Sequence, residues 1–236
     1  MKTLLLNQDK LLYKYLILHN KETIDYTIIN KLDPFNYTHK EIVEVFNEYK
    51  YDITINNIYY NGDDSNLNKE INIEFVNLLS FQNKVDNKIF IQLMDIETFF
   101  KFNLFDIYNK MTTYRNIFFV LYPLFYSKEY SDGFNIIKDI KLLKKQNKPE
   151  FLISNIINDY CNIEIFTQFI FRLQMNLFNN KKPKYNFVYL KDINSYSQRQ
   201  LLNCEVGCEY YNNHNNNRIK NLYINSDLLN IIKNDR

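Results

Sequence analysis

Two short apolar runs, Lys88-Ile-Phe-Ile-Gln-Leu-Met94 and Asn116-Ile-Phe-Phe-Val-Leu-Tyr-Pro123, decide the fold class of this 236-residue chain. Between them, residues 98–111 carry apolar side chains at helical spacing. Strands that are apolar throughout, rather than at alternate positions, are typical of parallel sheets covered on both faces. The order strand, helix, strand therefore predicts an α/β fold.

The sequence before this block continues the alternation. Thr38, followed three residues later by Glu41, forms a capping box and predicts a helix from His39 to about Tyr49. The β-branched run 53–60 predicts a strand, and the spacing of apolar residues predicts a helix over 70–81. Residues 4–18, dense in Leu and Tyr, predict a strand or a short buried helix.

The sequence after the block predicts a further strand at 134–143 and a helix from Asn158 or Asn162 to about residue 179. Composition changes after Lys181-Lys182-Pro183, and residues 212–217 form a low-complexity loop. We therefore predict a domain at 1–180 and a C-terminal extension, partly loop, at 181–236.

Glycine is scarce in this chain, which has only Gly62, Gly133 and Gly207, each isolated. Phosphate-cradling loops and the dinucleotide fingerprint need two or three glycines within a few residues, because the backbone must turn tightly and approach the phosphates. The sequence therefore predicts an α/β fold that lacks the cofactor glycine loop. Asn, Lys, Ile, Tyr and Phe are abundant and Ala and Trp are absent, a bias that a very A+T-rich genome would produce.

Charge and cysteine content exclude several classes of protein. A net charge of +2 gives no nucleic-acid-binding footprint. No run of 18 apolar residues exists, so no membrane span is expected. Three cysteines are too few for a disulfide framework, so we expect a reducing intracellular compartment.

A metal site is the first chemical candidate to weigh. Cys204 and Cys208 lie four residues apart and, with His214, supply three of the four ligands that structural zinc requires. Cys161 could complete the set only if the fold brought it close. Free thiols near a loop are the preferred interpretation, and no metal is assigned.

Three other groups also have a simpler explanation than function. Asp63 and Asp64 follow a predicted strand, where a catalytic carboxylate pair could lie, but a solvated turn explains them. A basic cluster, better explained as a solvated face than as an RNA contact, comprises Lys141, Lys144, Lys145 and Lys148. An aromatic stripe, better explained as core than as a base-stacking platform, comprises Phe99, Phe102 and Phe105. No catalytic or cofactor-binding residue is assigned.

The block from Lys88 to about Leu143 resembles part of a Rossmann-like RNA cap 2′-O-methyltransferase domain. In that family one strand carries a catalytic lysine, and the matching position here is Gln92. The glycine-rich cofactor loop is also missing. Both departures argue against methyl transfer by this chain.

From about Leu12 to Asn179 the chain is similar to the small regulatory subunit of the poxvirus mRNA-capping enzyme. The best matching pieces are Asn56-Asn57-Ile58-Tyr59, the helix from Phe75 to Phe81, the strand beginning at Ile89 and the strand before Pro123. The segment Glu150-Phe-Leu-Ile-Ser-Asn-Ile-Ile-Asn and the helix from Ile165 to Phe178 continue the resemblance. The A+T-rich composition would suit an insect poxvirus.

This resemblance implies a methyltransferase-type sheet with helices on both faces and a non-catalytic subunit without a cofactor of its own. The subunit would form a heterodimer with the large catalytic subunit, which would bind S-adenosylmethionine, and would stimulate its guanine-N7 methyltransferase. Roles in viral transcription termination and initiation, indirect contact with RNA and the viral RNA polymerase, and a location in the virion and host cytoplasm would follow.

Two alternatives stay open from the sequence. The first is an active S-adenosylmethionine-dependent RNA methyltransferase with a divergent cofactor loop, in which Asp63 or Asp64 is the catalytic carboxylate. The second is a virus-specific interaction protein of unrelated α/β fold.

Overall fold

A computed structural model describes most of the first half of the chain and parts of the second. The described residues are 1–6, 10–20, 22–29, 38–58, 66–86, 88–101, 104, 105, 108, 116–127, 137, 140, 142, 156–181, 183–192, 196, 209–210 and 220–224.

Strands and helices alternate along the first half of the chain. In order they are β1 (Lys2–Leu6), α1 (Lys10–Asn20), β2 (Asp25–Ile29), α2 (His39–Glu48), β3 (Ile53–Ile58), α3 (Asn66–Val85), β4 (Ile89–Asp95), α4 (Ile96–Lys101) and β5 (Ile117–Tyr122). The elements described after these are β6 (Leu124–Tyr126), β7 (Ile156–Ile157), β8 (Tyr160–Asn162), α5 (Ile163–Phe178), β9 (Phe187–Asp192), β10 (Glu209–Tyr210) and β11 (Lys220–Ile224).

The central sheet has seven strands in the order β11-β9-β5-β4-β3-β1-β2. The pairs β1–β2, β1–β3 and β3–β4 are parallel, and their register places Leu5 beside Ile55 and Asn56 beside Gln92. Two small parallel pairs, β6–β8 and β7–β10, lie outside this sheet. The α/β prediction is confirmed: the chain has a Rossmann-like fold with helices flanking a mostly parallel sheet.

The chain divides into two compact units. The first comprises residues 1–121 and 167–188, and the second comprises 122–166 and 189–236. Strand β9 passes from the first unit to the second after Val188. The predicted boundary at residue 180 stays a prediction.

The core of the first unit is rich in aromatic rings. Phe119 and Phe187 stack with their ring centroids 4.6 Å apart, and Tyr108 stacks on Phe119 at 5.0 Å. Phe99 and Phe105 pack against Phe187 at 6.0 and 5.2 Å. The prediction that the aromatic stripe is core is confirmed for these two phenylalanines, which are both buried. Phe102 lies outside the described residues.

The helix ends show why the sequence folds this way locally. The Thr38–Glu41 capping box is present as predicted. Asn162 caps α5, its Oδ1 accepting from the backbone N–H groups of Glu164 at 2.9 Å and Ile165 at 3.2 Å. Asn180 has φ 59° and follows α5, with the N–H of Lys181 donating to the carbonyl of Asn176. This is a Schellman turn in which asparagine takes the place usually held by glycine.

Most sequence-predicted elements are confirmed, and three predictions need correction. The continuous helix predicted over 98–111 is interrupted, because α4 ends at Lys101 and Leu104 is not helical, whereas Phe105 and Tyr108 are helical again. The single element predicted at 4–18 is a strand followed by a helix, β1 and α1. The strand predicted at 134–143 is wrong, because the described residues Ile137, Ile140 and Leu142 are helical. Ile137 and Ile140 are buried and three residues apart, so they lie on one face of the helix. A short run of apolar residues fits a buried strand as well as a buried helix face, which is why the sequence predicted a strand here.

Candidate functional site

The strand order locates the edge of the sheet at which a ligand would bind. β1 pairs with β2 on one side and with β3 on the other. The crossovers that start from β1 therefore lead first to one side of the sheet and later to the other, and the switch point lies between β1 and β3. In open parallel sheets, ligands bind outside the carboxyl ends of the strands at such a switch point. We call the region around the last residues of β1, β3 and β4 the carboxyl edge.

Tyr13 of α1 lies at the carboxyl edge. Its side chain is 3% exposed. Its hydroxyl donates to the carbonyl of Leu6, the last residue of β1, and lies 3.5 Å from the carbonyl of Ile55 in β3. A tyrosine ring therefore joins α1 to the two strands on either side of the switch point.

Two amide side chains follow on the neighbouring strands. Nδ2 of Asn56 donates to Oε1 of Gln92 at 2.8 Å, and Nε2 of Gln92 donates to the carbonyl of Leu93 at 2.7 Å. Both side chains are fully buried. The sequence resemblance placed a catalytic lysine at the position of Gln92. A glutamine amide does not titrate near neutral pH, and here it links β3 and β4 through its hydrogen bond with Asn56.

A dinucleotide fits this edge only in part. Three residues separate the end of β1 from the start of α1, so the N-terminal N–H groups of α1 and the positive end of its dipole lie where a diphosphate would bind. The fingerprint glycines would fall in residues 7–13, which read Asn-Gln-Asp-Lys-Leu-Leu-Tyr. Residues 7–9 lie outside the described part of the chain. The buried Tyr13 ring replaces the bare backbone that the third glycine provides for close contact between helix and strand.

A second polar group lies at the opposite, amino edge of the sheet. A cavity of about 490 Å³ is lined by Lys2, Phe46, Asn47, Tyr49, Lys50, Tyr51, Asp52, Asp86 and Lys88. Asp52 accepts from the backbone N–H of Lys2 at 2.8 Å. Nζ of Lys88 lies 5.7 Å from the centre of the Tyr51 ring, within the range of a cation–π contact.

Tyr51 is the titratable group that this environment changes most. Its hydroxyl donates to Oδ2 of Asp86 at 3.0 Å, and Nε2 of Gln82 donates to the same oxygen at 3.1 Å. Burial, with the neighbouring Asp86 carboxylate, raises the pKa of Tyr51 well above its ordinary value. The hydroxyl therefore stays protonated through the neutral range.

The second unit has its own ionisable cluster. Oδ1 of Asp159 lies 2.9 Å from Nζ of Lys191, and its Oδ2 accepts from the Tyr189 hydroxyl at 2.8 Å. The buried Asp192 accepts from the hydroxyl of Tyr126 at 2.6 Å. Each carboxylate thus has a hydrogen-bonding partner, which is the usual condition for burying one.

Most candidates named from the sequence lie outside the described residues. These are Cys204, Cys208, His214, Asp63, Asp64, Lys141, Lys144, Lys145 and Lys148. Cys161 is buried in β8, where desolvation and then the Asp192 carboxylate raise the pKa of its thiol. Within the described part of the chain, no group of His, Cys, Asp or Glu could hold a metal ion. No helix there is long and apolar enough to span a membrane.

Sequence reasoning missed Tyr13 as a residue of the edge. Its position along the chain could have indicated this role. Tyr13 comes seven residues after Leu6, the last residue of β1, and therefore falls in the first turns of the helix that follows. Because residues 4–18 were treated as one element, that spacing was not visible.

No family model and no curated protein sequence matches the chain. Solved structures do match its fold. The dTDP-4-dehydrorhamnose reductase of Bacillus anthracis in complex with NADP has a TM-score of 0.65 and 15% identity, over 94% of this chain and 88% of that one. The GDP-mannoheptose C4 reductase of Campylobacter jejuni with NADP bound has a TM-score of 0.59 and 11% identity, over 98% and 96%. The GDP-L-fucose synthetase of Naegleria fowleri bound to NADP has a TM-score of 0.61 and 9% identity, over 98% and 90%.

These matches correct the interpretation drawn from the sequence resemblance. The expectation of a poxvirus capping-enzyme subunit that assists cap methylation is wrong, because the three solved structures described above are two reductases and a synthetase of nucleotide-linked sugars. The expected roles in mRNA capping and viral transcription are wrong for the same reason. The expectation that the chain has no cofactor is also overturned, because these neighbours contain NADP. The matched apolar strands were those of any Rossmann-like sheet, so they did not distinguish between the families that share it.

Proposed function

We propose that this chain binds a nicotinamide dinucleotide, with NADP favoured, at the carboxyl edge of its sheet. The observation that carries the proposal is the likeness of fold along 94–98% of the chain to reductases whose structures contain NADP. The topological switch point between β1 and β3 lies where such a ligand binds in folds of this kind. The N-terminus of α1 lies beside it and favours an anionic diphosphate.

The mode of binding would differ from that of a glycine-lined loop. With Tyr13 in the first turns of α1, the backbone of the helix cannot be approached as closely as a glycine would allow. The diphosphate would instead contact the N–H groups at the start of α1. We therefore expect weaker binding than a complete fingerprint would give.

The activity that accompanies this site is proposed to be reduction of a nucleotide-linked keto sugar. Its support is that several neighbours share this chemistry while differing in their sugars. The methyltransferase-type sheet expected from the sequence stays a finer prediction about the fold.

The direct test is titration of the purified chain with NADPH, NADP⁺, NADH and S-adenosylmethionine by calorimetry. We expect NADPH to bind and to raise the melting temperature, because a ligand that binds only the folded state stabilises it by mass action. Lys10→Glu should weaken binding, because it places a negative charge in the first turn of α1. Lys40→Glu, at an exposed position on α2, is the matched charge control.

The proposal fails if neither NADPH nor NADH changes the calorimetric signal or the melting temperature at millimolar concentration. It also fails if S-adenosylmethionine binds and the nicotinamide dinucleotides do not. Loss of NADPH absorbance on addition of a nucleotide-linked 4-keto sugar would support the reductase activity. Binding without turnover would reject that activity while leaving the dinucleotide site in place.

A further inference from the structure

Helix α3 has two sharply different faces. Its inner face packs into the first unit through Phe75, Val76, Leu79, Ser80, Gln82 and Asn83, all buried. Asn83 also accepts from the hydroxyl of Thr54 at 2.9 Å, and this bond ties α3 to β3. The orientation of α3 on the sheet is therefore fixed by packing and by hydrogen bonding.

The outer face of α3 carries a stripe of exposed apolar side chains. Phe81 is 53% exposed and Val85 is 62% exposed, and Leu78 is partly exposed beside them. Residues at positions 78, 81 and 85 lie on one side of a helix because their spacings are three and four. A patch of large apolar side chains on one helix face marks an interaction surface more often than isolated exposed residues do.

The charges along this stripe identify the partner. Glu74 and Lys84 are both exposed, near opposite ends of the stripe. Along the helix, the charged pair and the apolar pair share nearly the same centre. The position halfway between Glu74 and Lys84 lies within one residue of the position halfway between Leu78 and Phe81. Two such helices placed antiparallel would thus bring each Glu74 close to Lys84 of the other copy, with Leu78 opposite Phe81. An interface in which residue i meets residue j, and j meets i, is the signature of a two-fold dimer.

We propose that a second copy of this chain docks on the outer face of α3, forming a two-fold dimer through antiparallel α3 helices. Leu78 and Phe81 form the apolar centre of the interface, the two Glu74–Lys84 pairs flank it, and Val85 lies beside Lys84 at each end. One helix face from each copy is small compared with a standard interface, so the dimer is expected to dissociate in the micromolar range. The proposal does not depend on dinucleotide binding.

The test is sedimentation velocity of the full chain from about 1 to 100 μM. The wild-type chain should shift from monomer to dimer over this range. Phe81→Glu should raise the dissociation constant at least about tenfold, since it places a carboxylate at the apolar centre. Val85→Lys provides a second variant, and circular dichroism verifies that each remains folded. The matched control is Leu18→Glu on α1, which is 56% exposed in the wild type and should leave self-association unchanged.

Charge reversal tests the antiparallel register. Glu74→Lys and Lys84→Glu should each weaken the dimer, because each creates like charges at both ends of the stripe. The double variant should restore it to within about twofold of wild type, since the charges are exchanged but still complementary. A chain that is monomeric at 100 μM overturns the proposal. A dimer that persists with Phe81→Glu, or a double variant that is no better than the singles, also overturns it.

Discussion

The two edges of one sheet differ in what they offer to a ligand. At the carboxyl edge, where the topology predicts binding, the Tyr13 ring and the Asn56–Gln92 amides are buried and bonded to the protein itself. At the amino edge, the cavity of about 490 Å³ is lined by lysines, carboxylates and tyrosines. The cavity therefore lies at one edge of the sheet, whereas the strand order predicts ligand binding at the other edge.

The first prediction is that the carboxyl edge behaves as core. Tyr13→Ala should lower the free energy of unfolding by about 3–5 kcal/mol, because it removes a large buried ring whose space the surroundings only partly fill. Tyr13→Phe should cost only about 1 kcal/mol, the net value of its hydrogen bonds. Tyr49→Ala, at the lining of the amino-edge cavity, is the matched control and should cost much less, because Tyr49 is only half-buried. Urea denaturation of the three variants measures the difference.

Equal costs for Tyr13→Ala and Tyr49→Ala would remove the distinction between the two edges. A stable Tyr13→Ala variant would show that the ring does not hold α1 against β1 and β3. The same variant has a second use, since removal of the ring opens the approach to the first turns of α1. If Tyr13 restricts that approach, NADPH binds the folded Tyr13→Ala protein more tightly than it binds the wild type.

The second prediction concerns the buried amide pair. Gln92→Met or Asn56→Leu alone should cost about 1–3 kcal/mol, because each leaves the other amide without its cross-strand bond in a buried position. The double variant should cost less than the sum, since both polar groups are then gone. A double-mutant cycle in urea gives the coupling energy. Strict additivity would mean that the two amides do not stabilise one another.

Several elements of the fold were predictable because their signals are local. The capping box at Thr38 and Glu41, the strand at β3 and the apolar strands β4 and β5 depend on residues within a few positions of one another. The helical residues near Ile137 were mistaken for a strand, because short apolar runs fit both periods.

The candidate site was harder to predict because it depends on contacts between residues far apart in the chain. Tyr13 meets Ile55 across 42 residues, and Asn56 meets Gln92 across 36. The scarcity of glycine was visible at once and showed that the usual loop is missing. It could not show which solved structures the surrounding fold resembles, since the buried strands of any Rossmann-like sheet have the same apolar pattern.

The third prediction concerns pH at the amino edge. The pKa of Tyr51 is raised in the folded state, chiefly by burial and then by Asp86, whereas in the unfolded chain it is about 10. The stability that the protonated hydroxyl contributes is therefore fully present below pH 10. Above about pH 10 the unfolded chain loses this proton while the folded protein keeps it, so stability falls by up to about 1.4 kcal/mol per pH unit.

The matched variant is Tyr51→Phe. It should cost about 1 kcal/mol at pH 7, where it removes the bond to Asp86, and it should flatten the loss of stability above about pH 10. Urea denaturation at several alkaline pH values measures both effects. An unchanged alkaline slope in Tyr51→Phe would show that this hydroxyl titrates normally in the folded protein.

The smallest expected effect is that of Lys88, which contacts the ring of the same tyrosine at the amino-edge cavity. Its ammonium lies 5.7 Å from the centre of the Tyr51 ring and is partly solvated. Lys88→Gln should therefore cost only about 0.5–1 kcal/mol. In the Tyr51→Leu background the same substitution should cost nothing, because no ring remains for the cation to contact. If Lys88→Gln lowers the free energy of unfolding as much as Gln92→Met does, the contrast drawn between a loosely packed amino edge and a tightly packed carboxyl edge is wrong.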